Sequence, residues 1–172
     1  MKKGKIQIYT GNGKGKTTAA LGLALRAAGA GLSVFIGQFI KRGYYSEIDA
    51  LARLNDSITV RQYGSGTFIR NQPRPEEIES ACEGLDEITA ILKSNQYDVV
   101  ILDEACMALH FNLFPVSSMI KALESRNQNI EVIITGRNAP RELIDMADLV
   151  TEMKEIKHYY RQGVKARKGI EK

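Results

Sequence analysis

Two lysines, three glycines and three threonines crowd into the nine residues Thr10–Thr18, TGNGKGKTT. The chemistry that calls for these types together is polyphosphate binding. Glycines at alternate positions, Gly11, Gly13 and Gly15, let the backbone turn tightly so that several N–H groups can point into one concavity. Lys16 adds a mobile point charge, and the Thr17 hydroxyl is of the type that ligates Mg²⁺. An apolar strand pattern, Lys5–Tyr9, precedes the stretch, and an Ala/Leu-rich helix predicted from Thr17 to about Ala28 follows it. Its positive dipole end would face the same anion. The spacing departs from G-x-x-x-x-G-K-[ST]: Thr10 takes the first glycine's place, three residues separate Gly11 from Gly15, and Lys14 brings a second cation. A plain glycine-rich turn is the competing reading, and the agreement of strand, loop and helix weighs against it.

A second cluster lies in Asp98–Glu104, DVVILDE. Four consecutive apolar residues predict a buried parallel strand. Its C-terminal end, where open α/β sheets bind ligands, carries Asp103 and Glu104. One carboxylate would hold Mg²⁺ or its water, with the other nearby. A third strand pattern, Glu131–Arg137 (EVIITGR), ends in a cation on the same sheet edge, which makes Arg137 a phosphate contact. Neither histidine belongs to a ligand cluster. His110 reads as a packing residue, whereas His158, beside Lys157 and Tyr159-Tyr160, could face a ligand. Cys82 and Cys106 form no C-x-x-C pair and fall in apolar patterns, so they read as buried reduced thiols.

The elements that must position these groups alternate along the chain. Strands are expected at Leu32–Phe39, Ile58–Tyr63 and Leu149–Ile156, and helices from a Ser46 cap through Leu54, from near Glu76, over about Val116–Glu124, and from Pro140. Ile78, Ala81, Cys82, Leu85, Ile88 and Leu92 give the helix after Pro75 one apolar face. This alternation predicts an α/β fold with a parallel sheet, right-handed crossovers and helices on both faces. At 172 residues and 44% hydrophobic composition the chain reads as one domain with a substantial core. The net charge of +4 is local: Lys154–Lys172 carries seven Lys/Arg against two Glu, which leaves the remainder near −1. Such a tail could meet an anion, but more often it is a solvated end. The N-terminus lacks a signal peptide's apolar run, and no stretch suits a bilayer, so a cytoplasmic protein is expected, with neither membrane nor nucleic acid as partner.

Together these features imply an ATP–Mg²⁺ enzyme without naming its reaction. The runs TGNGKGKTT, Gln38–Lys41 (QFIK), VILDE, VIITGR, Ala147–Met153 (ADLVTEM), Lys157-His158 and Gly163–Glu171 (GVKARKGIE) occur in the order in which they stand in the CobA/BtuR/CobO-type ATP:corrinoid adenosyltransferases, and the sequence resembles that family over nearly its whole length. The shortened phosphate loop is part of the family pattern. The resemblance implies a P-loop NTPase (RecA-like) fold and a reaction in which the Co(I) of a reduced corrinoid attacks the 5′ carbon of ATP and triphosphate leaves intact. It also implies roles: phosphate binding for Asn12 to Thr18, Mg²⁺ for Thr17 and Glu104 with Asp103 as an outer or alternative ligand, phosphate contact for Arg137, and a place near the nucleotide for Arg26. Lys16 and Glu104 are then the central catalytic candidates. The family further implies a homodimer and an electron-donating flavoprotein such as flavodoxin.

Two departures stand out. Described members often carry an N-terminal segment that folds over the site, whereas this sequence begins a few residues before its first strand. Some members place a Phe and a Trp after the third strand to displace cobalt's lower axial ligand. This chain has no Trp, and its loop Gly66-Thr67-Phe68-Ile69 offers Phe68 as the aromatic wedge, with Ile69 for bulk. The competing functions are a P-loop kinase, which would yield ADP, and a non-enzymatic ATP-driven switch.

Overall fold

The computed structural model describes residues 3–66, 69 and 72–171. Six strands form one sheet in the order β3-β2-β4-β5-β1-β6: β1 Ile6–Thr10, β2 Val34–Phe39, β3 Ile58–Tyr63, β4 Val99–Asp103, β5 Glu131–Thr135 and β6 Leu149–Glu152. Every pairing is parallel. The helices are α1 Lys16–Gly29, α2 Ser46–Ala52, α3 Pro75–Lys93, α4 Ala105–His110, α5 Val116–Glu124 and α6 Arg141–Met146, with a 3-10 turn at Tyr159–Gln162.

Strand alternation sorts the apolar residues into two cores. Ile6, Ile8, Phe35, Phe39, Val100, Leu102, Val132 and Ile134 face the side covered by α3 to α6. Val34, Ile36, Val99, Ile101 and Ile133 face the side covered by α1 and α2. A strand covered on both faces must be apolar at nearly every position, which is why β2, β4 and β5 stand out in the sequence. The alanines of α1 (Ala20, Ala24 and Ala27) are its buried stripe and bring that helix close to the sheet.

Four expectations need correction. Tyr45 holds the N-cap position of α2, and Ser46 is its first helical residue. Pro140 is likewise the N-cap of α6 rather than part of its first turn. The final strand stops at Glu152, because β6 is an edge strand with all four residues exposed and no core to extend it. His110 is an exposed C-terminal residue of α4 whose ring lies 5.5 Å from Phe111, so it packs on the surface and not in the core. Of the thiols, Cys106 is buried and Cys82 half-buried, and both are free. Burial, with Glu104 adding, raises the Cys106 thiol to about 12. No helix among the described residues is long and apolar enough to cross a membrane.

Candidate active site

The C-terminal ends of β1, β4 and β5, with that of β2 beside them, bring the candidate residues together. The turn from β1 into α1 uses left-handed backbone at Gly11 (φ 94°) and Gly15 (φ 117°), which a side chain would strain. Gly13 is required for a different reason: a Cβ there would stand 2.7 Å from the Met153 carbonyl oxygen. The Gly13 amide donates to that oxygen at 2.6 Å, so this N–H of the loop is held by the chain after β6. Lys16 opens α1 and is buried, its ammonium donating to the carbonyls of Gly11 and Gly13 at 2.7 Å each. Burial lowers its pKa, Arg137 lowers it further, and Glu104 works against both. The amides of Lys16, Thr17 and Thr18 begin the helix, where no preceding turn supplies acceptors.

Asp103 is the hub. One oxygen accepts from the Thr17 hydroxyl at 2.8 Å and the Thr135 hydroxyl at 2.7 Å. The other accepts from the Lys41 ammonium at 2.8 Å and the Gln38 amide at 3.2 Å. Its side chain is 1% exposed and that of Lys41 17%, so this ion pair is largely out of water. Burial opposes the charge on Lys41, but Asp103 outweighs it and raises the ammonium's pKa. Glu104 follows in left-handed conformation (φ 59°), unusual for a residue with a side chain, and forms the N-cap of α4. Its amide donates to Thr135 Oγ1 at 3.0 Å. Burial raises its carboxyl pKa, Asp103 adds to this, and Lys41, Lys16 and Arg137 pull the other way.

Two cavities meet here. One, of about 640 Å³, is lined by Gly13 to Thr18 and closed on its far side by His158, Gly169, Ile170 and Glu171. The other, of about 420 Å³, is lined by Ile40, Arg42, Gly66, Ile69, Met107 and Phe111. Lys41, Tyr45, Glu104 and Arg137 line both. The cavity lined by the glycine loop thus adjoins a more apolar one, and three of the four shared side chains are charged.

The structure gathers Gly13 to Thr18, Glu104, Arg137 and His158 around one cavity, with Asp103 bonded to Thr17; Asn12 is not among the lining residues. Arg26 is elsewhere: it is exposed in the last turn of α1, about 15 Å further along the helix than Lys16. Phe68 lies outside the described residues, while Ile69 beside it is buried and lines the smaller cavity. Reading for phosphate and metal chemistry overlooked Gln38, Lys41 and Thr135, although the QFIK and VIITGR runs contain them. It also overlooked that the basic tail docks. Lys14 reaches Glu171 at 2.9 Å, so the tail's end lies on the loop and is not a free solvated segment.

With this geometry in view, comparison with known proteins is informative. The family described as ATP:corrinoid adenosyltransferase BtuR/CobO/CobP matches residues 2–171. A corrinoid adenosyltransferase of Escherichia coli (strain K12) is 34% identical over 169 residues, covering 98% of this chain and 86% of that protein. Corrinoid adenosyltransferase CobA of Salmonella typhimurium is 35% identical, with the same coverage of each. A corrinoid adenosyltransferase of Pseudomonas aeruginosa is 32% identical, covering 98% of this chain and 84% of its own. The order of motifs along the whole chain and the site they assemble agree with these matches: the chain belongs to the ATP:corrinoid adenosyltransferase family.

Proposed function

We propose that this protein transfers the 5′-deoxyadenosyl group of ATP to the cobalt of a reduced corrinoid and releases triphosphate. The observation that carries the reading beyond family membership is the pair of adjoining cavities: one lined by the glycine loop, which suits phosphates, the other with a more apolar lining, which suits part of a less polar substrate. In the reaction the Co(I) electron pair forms a bond to the 5′ carbon of ATP. The carbon–oxygen bond breaks, its electrons leave with the triphosphate, and cobalt ends as Co(III). Cobalt is the nucleophile and belongs to the substrate, so the protein's task is orientation and charge neutralisation.

In this reading the turn at Gly11 to Thr18 is a P-loop, in a fold of the RecA-like NTPase class. Lys16, Lys14 and Arg137 neutralise the leaving triphosphate, whose charge grows as the bond breaks. The donor set also suits Mg²⁺. Thr17, Asp103 and Glu104 offer hard oxygens, and the Lys41 ammonium, 2.8 Å from Asp103 and 3.5 Å from the Thr17 hydroxyl, stands where the field favours a cation. Among the described residues no three acidic, Cys or His side chains cluster as a metal cage, so phosphate and water oxygens would complete the shell. Bound there, Mg²⁺ would neutralise phosphate charge. Phe68 remains the proposed wedge against cobalt's axial ligand. A cytoplasmic homodimer supplied with electrons by a flavoprotein completes the proposal and rests on the family resemblance.

The deciding experiment mixes ATP, Mg²⁺ and chemically reduced corrinoid anaerobically, with and without protein, and follows the phosphorus products. Inorganic triphosphate appearing with a light-sensitive alkylcobalt spectrum is expected. ADP without alkylcobalt would point to the kinase reading, which the family match does not favour. For Glu104, replacement by Gln should raise the Mg²⁺ concentration needed for half-maximal rate about threefold to tenfold, the loss of one charged oxygen ligand. A metal titration that superimposes on that of the unaltered enzyme would remove Glu104 from the metal site.

A further inference from the structure

The last nine described residues return to the phosphate loop with a carboxylate at their end. Glu171 accepts from the Lys14 ammonium at 2.9 Å, from the Arg167 backbone amide at 2.8 Å, from Arg167 Nε at 3.3 Å and Nη2 at 3.0 Å, and from the Tyr159 hydroxyl. Lys14 also donates to the Tyr159 hydroxyl at 2.9 Å and the Ile170 carbonyl at 3.1 Å, and the Arg167 guanidinium stacks 5.0 Å from the Tyr159 ring. Arg167, then Tyr159 and Lys14, hold the Glu171 carboxyl below the usual carboxylate range. An ammonium, a guanidinium, a phenol and a backbone amide converging on one anion make a donor set suited to phosphate as much as to carboxylate. Glu171 occupies it from within the wall of the larger cavity.

We propose that Lys14, Arg167 and Tyr159 form an anion subsite beside the phosphate loop, held by the Glu171 carboxylate in the free enzyme and taken over by a phosphoryl group when triphosphate binds. This rests on the reading of the larger cavity as the triphosphate site. The exchange is feasible because the ion pairs of Glu171 with Lys14 and Arg167 are partly open to water, where such pairs contribute little. A polyphosphate carries several charges where Glu171 carries one. The root of the tail stays fixed, since the Gly13 amide holds Met153. Only the segment beyond Arg167, with Gly169 in left-handed conformation (φ 76°), has to yield. After the adenosyl group has left, Glu171 competes for Lys14 again and favours departure of the triphosphate.

The test is calorimetric titration of the whole chain with inorganic tripolyphosphate and Mg²⁺, alongside amide hydrogen exchange of residues 168–171. Glu171→Gln should bind tripolyphosphate threefold to tenfold more tightly, because the competing anion is gone. Arg167→Gln, which frees Glu171 but also deletes a phosphate donor, should bind it about threefold more weakly. Opposite signs exclude a mere loosening of the tail, which would move both variants together. In the unaltered protein, tripolyphosphate should reduce protection of the tail amides. Equal or weaker binding by Glu171→Gln, or tail protection that holds or grows, overturns the subsite. Lys16→Ala separates the two questions: if it binds tripolyphosphate as well as the unaltered protein, the phosphate-loop reading itself falls, whatever Glu171 does.

Discussion

Lys16→Ala should lower kcat/KM for ATP by about 100-fold, corresponding to roughly 3 kcal/mol for a charge-assisted contact in a water-poor site. The geometry explains why so much rests on one side chain. The ammonium is buried at the base of the loop and bridges the Gly11 and Gly13 carbonyls, so it is positioned before any anion arrives. Burial and Arg137 both disfavour its charge, and an incoming phosphate relieves that stress. Alanine removes the cation and leaves the Gly11 and Gly13 carbonyls without their shared donor. The check is ATP affinity by calorimetry, with kcat/KM measured on chemically supplied Co(I), and the melting temperature as a control for folding. Unchanged affinity would take the loop out of the mechanism.

Asp103→Asn should be the more damaging substitution, because it strikes fold and chemistry together. Four donors converge on this carboxylate: two hydroxyls on one oxygen, an ammonium and an amide on the other. An asparagine can accept on one side only. With its oxygen toward Thr17 and Thr135, its NH₂ group faces the Lys41 ammonium and the Gln38 amide, donor against donor. Lys41 is then a largely buried charge without its counter-ion, a situation that costs about 3 kcal/mol or more. A drop of that size in unfolding free energy is expected in a urea titration, together with a loss of turnover of at least about 100-fold at saturating ATP and Mg²⁺. Pairing Asp103→Asn with Lys41→Met removes the stranded charge and should restore most of the stability while turnover stays low. A single variant as stable as the unaltered protein would show that the buried pair is not what holds this corner together.

All six strands and five of the six helices were legible in the sequence, for reasons that also explain the misses. Strands β2, β4 and β5 are apolar on both faces because helices cover both. Strand β6 has no such cover, so its pattern ran past the true end at Glu152. The six-residue helix α4 starts directly from the left-handed Glu104, without the capping signals or the length that mark a helix in a sequence. At the site, Lys16, Thr17 and the Asp103–Glu104 pair were visible because they sit at strand ends in recognisable spacings. Lys41 was not, because a lysine after an apolar strand ordinarily marks the strand's exit into water. Only the fold shows it turned back onto Asp103. Composition misread the tail in the same way: a net positive segment reads as solvated, yet one of its two glutamates docks it on Lys14.

The sheet order also bears on how the protein comes to exist. Strand β1, from which the phosphate loop springs, is hydrogen-bonded to β5 and β6. During synthesis β1 therefore waits for residues 131–135 before it has a neighbour in the sheet, and for 149–152 before it has both. Strands β2, β3 and β4 can pair among themselves well before that point. Contacts between such distant parts of a chain form slowly. The site at the end of β1 is therefore completed only after β5 has been made, later than β2, β3 and β4 can pair.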